Sequence, residues 1–266
     1  MDEICLEVKD LCIQFGGLKA VDKVSFQVKK GELAGLIGPN GAGKTTVFNM
    51  LTGVYAPTSG QVCLKSETIH GLKPHQISRK GVSRTFQNIR LFKNLSVLDN
   101  VLLGAHQHVQ YGLLASVFQT REYLQEEARH HAEALELLKF FSLEKHAHEQ
   151  AGSLPYGEQR KLEIARALAT QPQLLLLDEP AAGMNHSETA QLTELIRKLR
   201  DHYKVTVLLI EHDMRLVMDI CEHIVVLDHG EKIADGNAAT VRASKKVIEA
   251  YLGTDTSDLE GGSHDS

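Results

Sequence analysis

The chain has 266 residues, 42% of them hydrophobic, and a net charge of -5. That is enough apolar material for one large domain or for a core with one subdomain, and the acidic balance gives no electrostatic case for nucleic acid. No apolar stretch approaches the ~20 residues that span a bilayer, and the acidic start Met1-Asp2-Glu3 lacks a signal peptide's basic end, so a soluble, cytosolic chain is expected.

Apolar residues alternate with polar ones near the start: Ile4, Leu6 and Val8, then Leu11, Ile13 and Phe15, then Val24, Phe26 and Val28. Lys9-Asp10 and Gly16-Gly17 read as turns between these runs, which predicts an antiparallel β-layer. Residues 33–37 are apolar, too few for a helix and flanked by glycine, and so predict a buried strand. It leads into Gly38-Pro39-Asn40-Gly41-Ala42-Gly43-Lys44-Thr45, a phosphate-binding loop of the G-x-x-x-x-G-K-[ST] form, with a helix predicted over 45–51. Glycines let backbone N–H groups approach phosphate oxygens without a Cβ in the way, and a helix N-terminus adds about half a positive charge. Lys44 is expected to reach the β- and γ-phosphates, and Thr45 to hold Mg²⁺ through its hydroxyl. Residues 61–64 add a strand after the turn Pro57-Thr58-Ser59-Gly60.

From about residue 95 to 165 the pattern turns helical. Leu124, Ala128, His131, Leu135 and Leu138 follow a 4,3,4,3 spacing, an amphipathic face expected to pack on the core. Residues 174–177 are four leucines ending in Asp178 and Glu179, the pattern of a parallel strand buried on both faces. Ligands of open α/β sheets bind at the carboxyl ends of strands. There Asp178 suits Mg²⁺, and Glu179 is placed to take a proton from attacking water. Leu192, Leu195, Ile196 and Leu199 mark a helix, residues 205–210 a further strand, and Asp228-His229-Gly230-Glu231 a hairpin turn between strands at 224–227 and 232–234. The acidic tail, 253–266, is expected to be disordered. The scattered Cys5, Cys12, Cys63 and Cys221 read as buried small hydrophobes without a disulfide, and the histidines as solvated surface groups, the pairs His106/His108, His130/His131 and His146/His148 included.

Leu154-Pro155-Tyr156-Gly157-Glu158-Gln159-Arg160 precedes the acidic strand, a glycine-containing helix start just upstream of Leu-Leu-Leu-Asp-Glu-Pro. This arrangement resembles the signature of ATP-binding cassette (ABC) ATPases, over residues 4 to about 252, in both motif order and spacing. The resemblance implies an α/β P-loop NTPase (RecA-like) core with an antiparallel β subdomain and an inserted helical subdomain. One ABC domain would span 1–252, with its helical insert at about 95–165. The resemblance also implies an ATP site of Phe15, which stacks on adenine, with Gly38, Pro39, Asn40, Gly41, Ala42, Gly43, Lys44, Thr45 and Thr46. Glu179, His212 and Gln87 would be catalytic, His212 by contact with γ-phosphate. Thr45, Gln87 and Asp178 would meet Mg²⁺. The signature residues Ser153, Leu154, Pro155, Tyr156, Gly157 and Glu158 would serve ATP bound to a second cassette, packed head to tail.

Two departures from the common pattern stand out. Pro155 replaces the usual serine and lacks both hydroxyl and N–H, a loss that Ser153 and the Gly157 N–H are placed to offset. Asn185 replaces an aspartate in Ala181-Ala182-Gly183-Met184-Asn185. These segments, with Phe15-Gly16-Gly17-Leu18 and Arg84-Thr85-Phe86-Gln87-Asn88-Ile89-Arg90-Leu91-Phe92, look like the ATP-binding subunits of bacterial branched-chain amino-acid importers. That likeness implies two membrane permease subunits, a second ABC ATPase subunit, a periplasmic amino-acid binding protein and a peripheral place on the cytoplasmic face of the inner membrane. Leu91, Phe92 and Leu95 would line the groove for the permease. The alternatives are the ATPase of a lipopolysaccharide or lipid exporter, and a soluble ABC ATPase working on ribosomes or DNA.

Overall fold

The computed structural model describes residues 3–108 and 120–257. Its strands, in chain order, are β1 (Ile4–Phe15), β2 (Leu18–Lys29), β3 (Leu33–Ile37), β4 (Ser59–Leu64), β5 (Glu67–Thr68), β6 (Val82–Arg84), β7 (Leu174–Asp178), β8 (Thr206–Ile210), β9 (His223–Asp228) and β10 (Glu231–Gly236). Its α-helices are α1 (Lys44–Leu51), α2 (Pro74–Arg79), α3 (Val97–Ala105), α4 (Arg121–Phe140), α5 (Tyr156–Ala169), α6 (His186–Tyr203), α7 (Met214–Ile220), α8 (Ala238–Ala243) and α9 (Lys245–Ser257).

The strands form two sheets. One is antiparallel, in the order β2-β1-β4-β5. The other runs β10-β9-β3-β8-β7-β6, parallel from β9 to β6 with β10 as an antiparallel edge. Every residue of β3, β7 and β8 is buried, which is why these runs read as continuously apolar rather than alternating. Leu174 and Leu176 enter the core shared with the antiparallel sheet, while Leu175 and Leu177 enter the core shared with the helices. Each such side chain contributes roughly 1.5–3 kcal/mol by leaving water. Asp178 pairs in register with Ile210, and Ile210 with Leu36. The carboxyl ends of β3, β8 and β7 therefore stand in one row.

Several local expectations need correction. Lys9-Asp10 is no turn: β1 runs through it, Asp10 takes φ 45°, and the register slips between Val8 and Leu11. The polar pair makes a bulge, which bends a strand without ending it. In α4 the buried face is His130, Ala134, Leu137 and Leu138, whereas Leu124, Ala128 and His131 are exposed. The expected stripe holds at its C-terminal end, where Leu138 is buried and Leu135 packs partly on the core, but towards the N-terminus His130 and Ala134 take the buried places instead of Leu124, Ala128 and His131. His130 is accordingly not a solvated group; it lies 3.6 Å from Glu126 and 3.5 Å from Glu133. His131 is exposed, and the side chain of His108 lies outside the described residues. All four cysteines are free, but only Cys5 and Cys221 are buried. The helix α9 runs on to Ser257, past the expected start of the tail at 253, since an established helix propagates through a single glycine; residues 258–266 lie outside the described residues. Among the described residues no helix is long and apolar enough to cross a membrane.

Where the two sheets meet, His223 at the start of β9 lies 2.5 Å from Asp235 and 3.7 Å from Glu32. Its hydrogen bonds to Asp235 and Glu32 push it up to about 9. A value raised above the free imidazole's ~6.5 gives stability that is complete below that pH and lost as pH rises through the folded value. The thermal midpoint is expected to fall between about pH 7 and pH 10, and to fall less in His223→Gln, which removes the titrating ring. Equal slopes for the two proteins in a pH series of thermal melts would remove His223 from the account.

Candidate functional site

The chain turns as soon as β3 ends. Gly38 has φ 151°, and a Cβ there would stand 2.0 Å from the Leu227 carbonyl oxygen of β9. Gly43 has φ 99°, and its Cβ would stand 2.7 Å from the Ala20 carbonyl oxygen of β2. Only hydrogen fits at either place, so the loop closes tightly between the two sheets. Pro39, Asn40, Gly41 and Ala42 span the gap, and the Ala42 N–H donates to the Pro39 carbonyl at 3.2 Å. The first turn of α1 carries no acidic side chain, which leaves its N-terminal dipole open to an anion. Thr45 is exposed there and Thr46 half-buried.

Lys44 is buried inside the loop, and its Nζ donates to the carbonyls of Gly38 at 2.6 Å and Pro39 at 2.9 Å. Burial lowers its pKa, opposed by the charges of Glu179 and Asp178. The adenine-side candidate, Phe15, ends β1 with its ring 46% exposed and edge-on to Tyr55 at 5.3 Å. Its cross-strand partner is Leu18, two residues from the Ala20 that abuts Gly43, so the hairpin tip stands beside the loop.

Asp178 and Glu179 close β7 and face different surroundings. Asp178 is buried and its Oδ2 accepts from Arg84 at 2.7 Å. Arg84 also donates to Asn49 at 2.7 Å and stacks over Phe48 and Phe86. Glu179 takes φ 45°, a conformation that costs a side-chain residue about 1–3 kcal/mol and is kept only where the surroundings enforce it. Its N–H donates to the Ile210 carbonyl at 2.9 Å, and its carboxylate accepts from Gln87 Nε2 at 2.8 Å. His212, just past β8, places Nδ1 3.9 Å from that carboxylate with its ring largely exposed. The structure thus brings together Lys44, Asp178, Glu179, Gln87 and His212.

The signature residues stand apart from the loop, with no hydrogen bond between residues 153–158 and 38–44 among the described residues. Ser153 Oγ donates to the Gln150 carbonyl at 2.7 Å, and Leu154 is buried. Pro155 stands at the N-cap of α5 with no side-chain acceptor, so the α5 amides are not closed off by a side chain. Tyr156 is exposed and donates its hydroxyl to the Ala182 carbonyl at 3.0 Å. Gly157 and Glu158 follow in the first turn. Asn185 acts locally as the cap of α6, accepting from the Glu188 N–H at 3.0 Å while Glu188 accepts from its own N–H at 2.9 Å.

Four side chains escaped the sequence reading. Nothing in its segment marked Arg84 as the partner of Asp178. Glu211 is buried beside the site, accepts from the Ala181 N–H at 2.9 Å, and is raised in pKa chiefly by desolvation. Arg160 and Glu163 form an ion pair at 2.8 Å with no exposure. The only signal in the sequence was charge at positions where the helix pattern calls for apolar residues.

Comparison with known proteins places nearly the whole chain in a family. A family model described as "ABC transporter" matches residues 21–182, and one described as "Branched-chain amino acid ATP-binding cassette transporter" matches residues 231–256. The chain is 50% identical over 253 residues to the high-affinity branched-chain amino acid transport ATP-binding protein BraF of Pseudomonas aeruginosa, covering 95% of this chain and 99% of that protein. Identity to the corresponding LivG protein of Escherichia coli is 47% over the same shares. The lipopolysaccharide export system ATP-binding protein LptB of Escherichia coli is 35% identical over 94% of this chain and 98% of its own length. Among solved structures, the ADP conformation of an ATP-binding cassette of an ABC transporter superposes with a TM-score of 0.81 at 32% identity, covering 94% of this chain and 99% of that one.

Proposed function

The chain belongs to the ABC transporter ATP-binding family and is an ATPase, and from that premise we propose that it is the motor subunit driving uptake of branched-chain amino acids. The observation that carries this reading is identity of 47–50% along 95% of the chain to branched-chain amino acid transport ATP-binding proteins, joined to the C-terminal match at 231–256. The lipopolysaccharide export protein is similar over almost the same length but only 35% identical, so the higher identities favour the branched-chain amino acid reading.

In the proposed mechanism the loop amides of 38–45 and Lys44 bind the β- and γ-phosphates, and the ring of Phe15 stacks on adenine. Glu179 takes the proton of the attacking water, held in line by Gln87 on one side and His212 on the other. The residues present fit Mg²⁺. Thr45 offers an exposed hydroxyl, Arg84 takes only Oδ2 of Asp178, and Gln87 donates through Nε2 and so keeps its carbonyl oxygen for a cation. This all-oxygen set suits a hard ion. Thr45, Asp178 and Gln87 would hold Mg²⁺, and the ion when bound would neutralise negative charge on the phosphates. The amides at the start of α5, with Ser153 nearby, serve ATP on the second cassette, so two nucleotides complete a head-to-tail dimer. The described helices α3 and α4, within the span about 95–165, would belong to the helical subdomain; Phe92 is 54% and Leu95 38% exposed, free to take a permease helix, while Leu91 packs partly on the core. The subunit then works on the cytoplasmic face of the inner membrane with two permease subunits and a periplasmic binding protein.

Two experiments bear on this scheme. Membranes carrying the neighbouring permease pair should retain the chain, and lipid-only membranes should not; equal retention on both would reject the docking. Pro155→Ser restores a hydroxyl and an N–H at the start of α5. One added hydrogen bond to a charged group is expected to raise dimer turnover by about tenfold. Unchanged turnover would mean that Ser153 and the Gly157 N–H already meet the need.

A further inference from the structure

Arg160 is fully buried in α5, and its guanidinium bonds both to its own helix and to the backbone of the preceding loop. One nitrogen donates to the Phe86 carbonyl at 2.7 Å and to Glu163 at 2.8 Å. The other donates to the Gln87 carbonyl at 2.7 Å and to the Tyr156 hydroxyl at 3.2 Å. Glu163 holds the same segment from its far end, accepting from the Arg90 N–H at 3.0 Å. The pair thus grips three backbone groups of one five-residue loop. The loop's ring is fixed as well, since Phe86 lies under Arg90 at 4.2 Å and Arg84 at 5.2 Å. Tyr156, the side chain that Arg160 meets at the start of α5, bonds in turn to Ala182, just past Glu179.

A buried ion pair is weak evidence for stability, because well-packed apolar residues of similar volume often do as well or better. The geometry here gives the pair a different role. We infer that Arg160, with Glu163, is a positioning residue that joins the Gln87 loop to the start of α5, so that the loop and the signature residues move as one body. A displacement of the loop by a docked permease helix then shifts the amides that face the second cassette's nucleotide, and at the same time sets the reach of Gln87 to Glu179. The inference rests on the proposed part of Gln87 in hydrolysis, and the test separates the two.

Removing Arg160 alone would strand a buried carboxylate, so the informative variant is Arg160→Met with Glu163→Leu, which removes the clamp and leaves no lone charge. Amide hydrogen exchange is read on peptides covering 86–90 and, as a reference, 205–210. Loss of charge-assisted bonds should speed exchange of the loop about tenfold or more, with the reference strand unchanged. Unaltered exchange in the loop, or an equal rise in both peptides, would overturn the clamp. ATPase turnover is then compared among this variant, Gln87→Ala and their combination. If Arg160 acts through the loop, the combination loses less than the product of the two single losses; losses that multiply would mark mere structural damage and overturn the inference. If Gln87→Ala leaves turnover unchanged, the catalytic reading of Gln87 fails, and the exchange result alone decides the clamp.

Discussion

Glu179→Gln should bind ATP as the parent does and lose turnover by about 10²–10⁴-fold, the span of general-base catalysis. The reason is local. Glu179 is held at φ 45° beyond the end of β7, with its N–H on the Ile210 carbonyl and its carboxylate at Gln87 and His212. Glutamine has the same length and makes the same demand on the backbone, and its amide oxygen still accepts from Gln87 Nε2. The fold and the phosphate loop are therefore untouched, and only the ability to accept a proton is removed. With hydrolysis stopped, ATP stays in the interface between two cassettes and the dimer should accumulate, visible by size-exclusion chromatography with ATP and absent with ADP. Full turnover in this variant would take the proton-accepting role away from Glu179.

Lys44→Ala should abolish tight nucleotide binding, raising the dissociation constant by about 10²-fold or more, as expected when a buried charge loses its partner. Lys44 now spends its ammonium on the carbonyls of Gly38 and Pro39, beside two carboxylates. Its burial already disfavours the charged form, so an arriving phosphate anion supplies the partner that the loop carbonyls only approximate. Alanine at the first position of α1 is a good helix residue, so the variant should melt near the parent and the loss should appear only in binding. An unchanged affinity, measured by titration calorimetry, would remove the phosphate-loop claim.

The site was legible where its chemistry is local. A glycine that must place its backbone against a neighbouring carbonyl, as Gly38 and Gly43 do, announces itself through spacing, and so does a strand such as β7, buried on both faces and ending in acids. What the sequence hid is held by contacts between distant segments. The bulge at Asp10 depends on pairing with β2 and β4, not on the two polar residues that resemble a turn. The N-terminal half of the buried face of α4 was misplaced because a histidine, His130, takes a core place that a periodicity count assigns to apolar residues, while Leu135 and Leu138 pack as expected. Arg84 meets Asp178 94 residues away, and Arg160 meets the carbonyls of Phe86 and Gln87 73–74 residues away, contacts beyond the reach of any local pattern. Asn185 shows the reverse: a departure that reads as a lost charge proves to be a helix cap with its partner three residues on.

The most direct test of the account is the ATPase rate of the reconstituted transporter, with the neighbouring permease pair, second cassette and binding protein, measured with and without leucine. Stimulation by leucine-loaded binding protein, lost in Glu179→Gln, is the result predicted here. An intact ATPase that no hydrophobic amino acid stimulates would contradict the importer reading and leave only the motor.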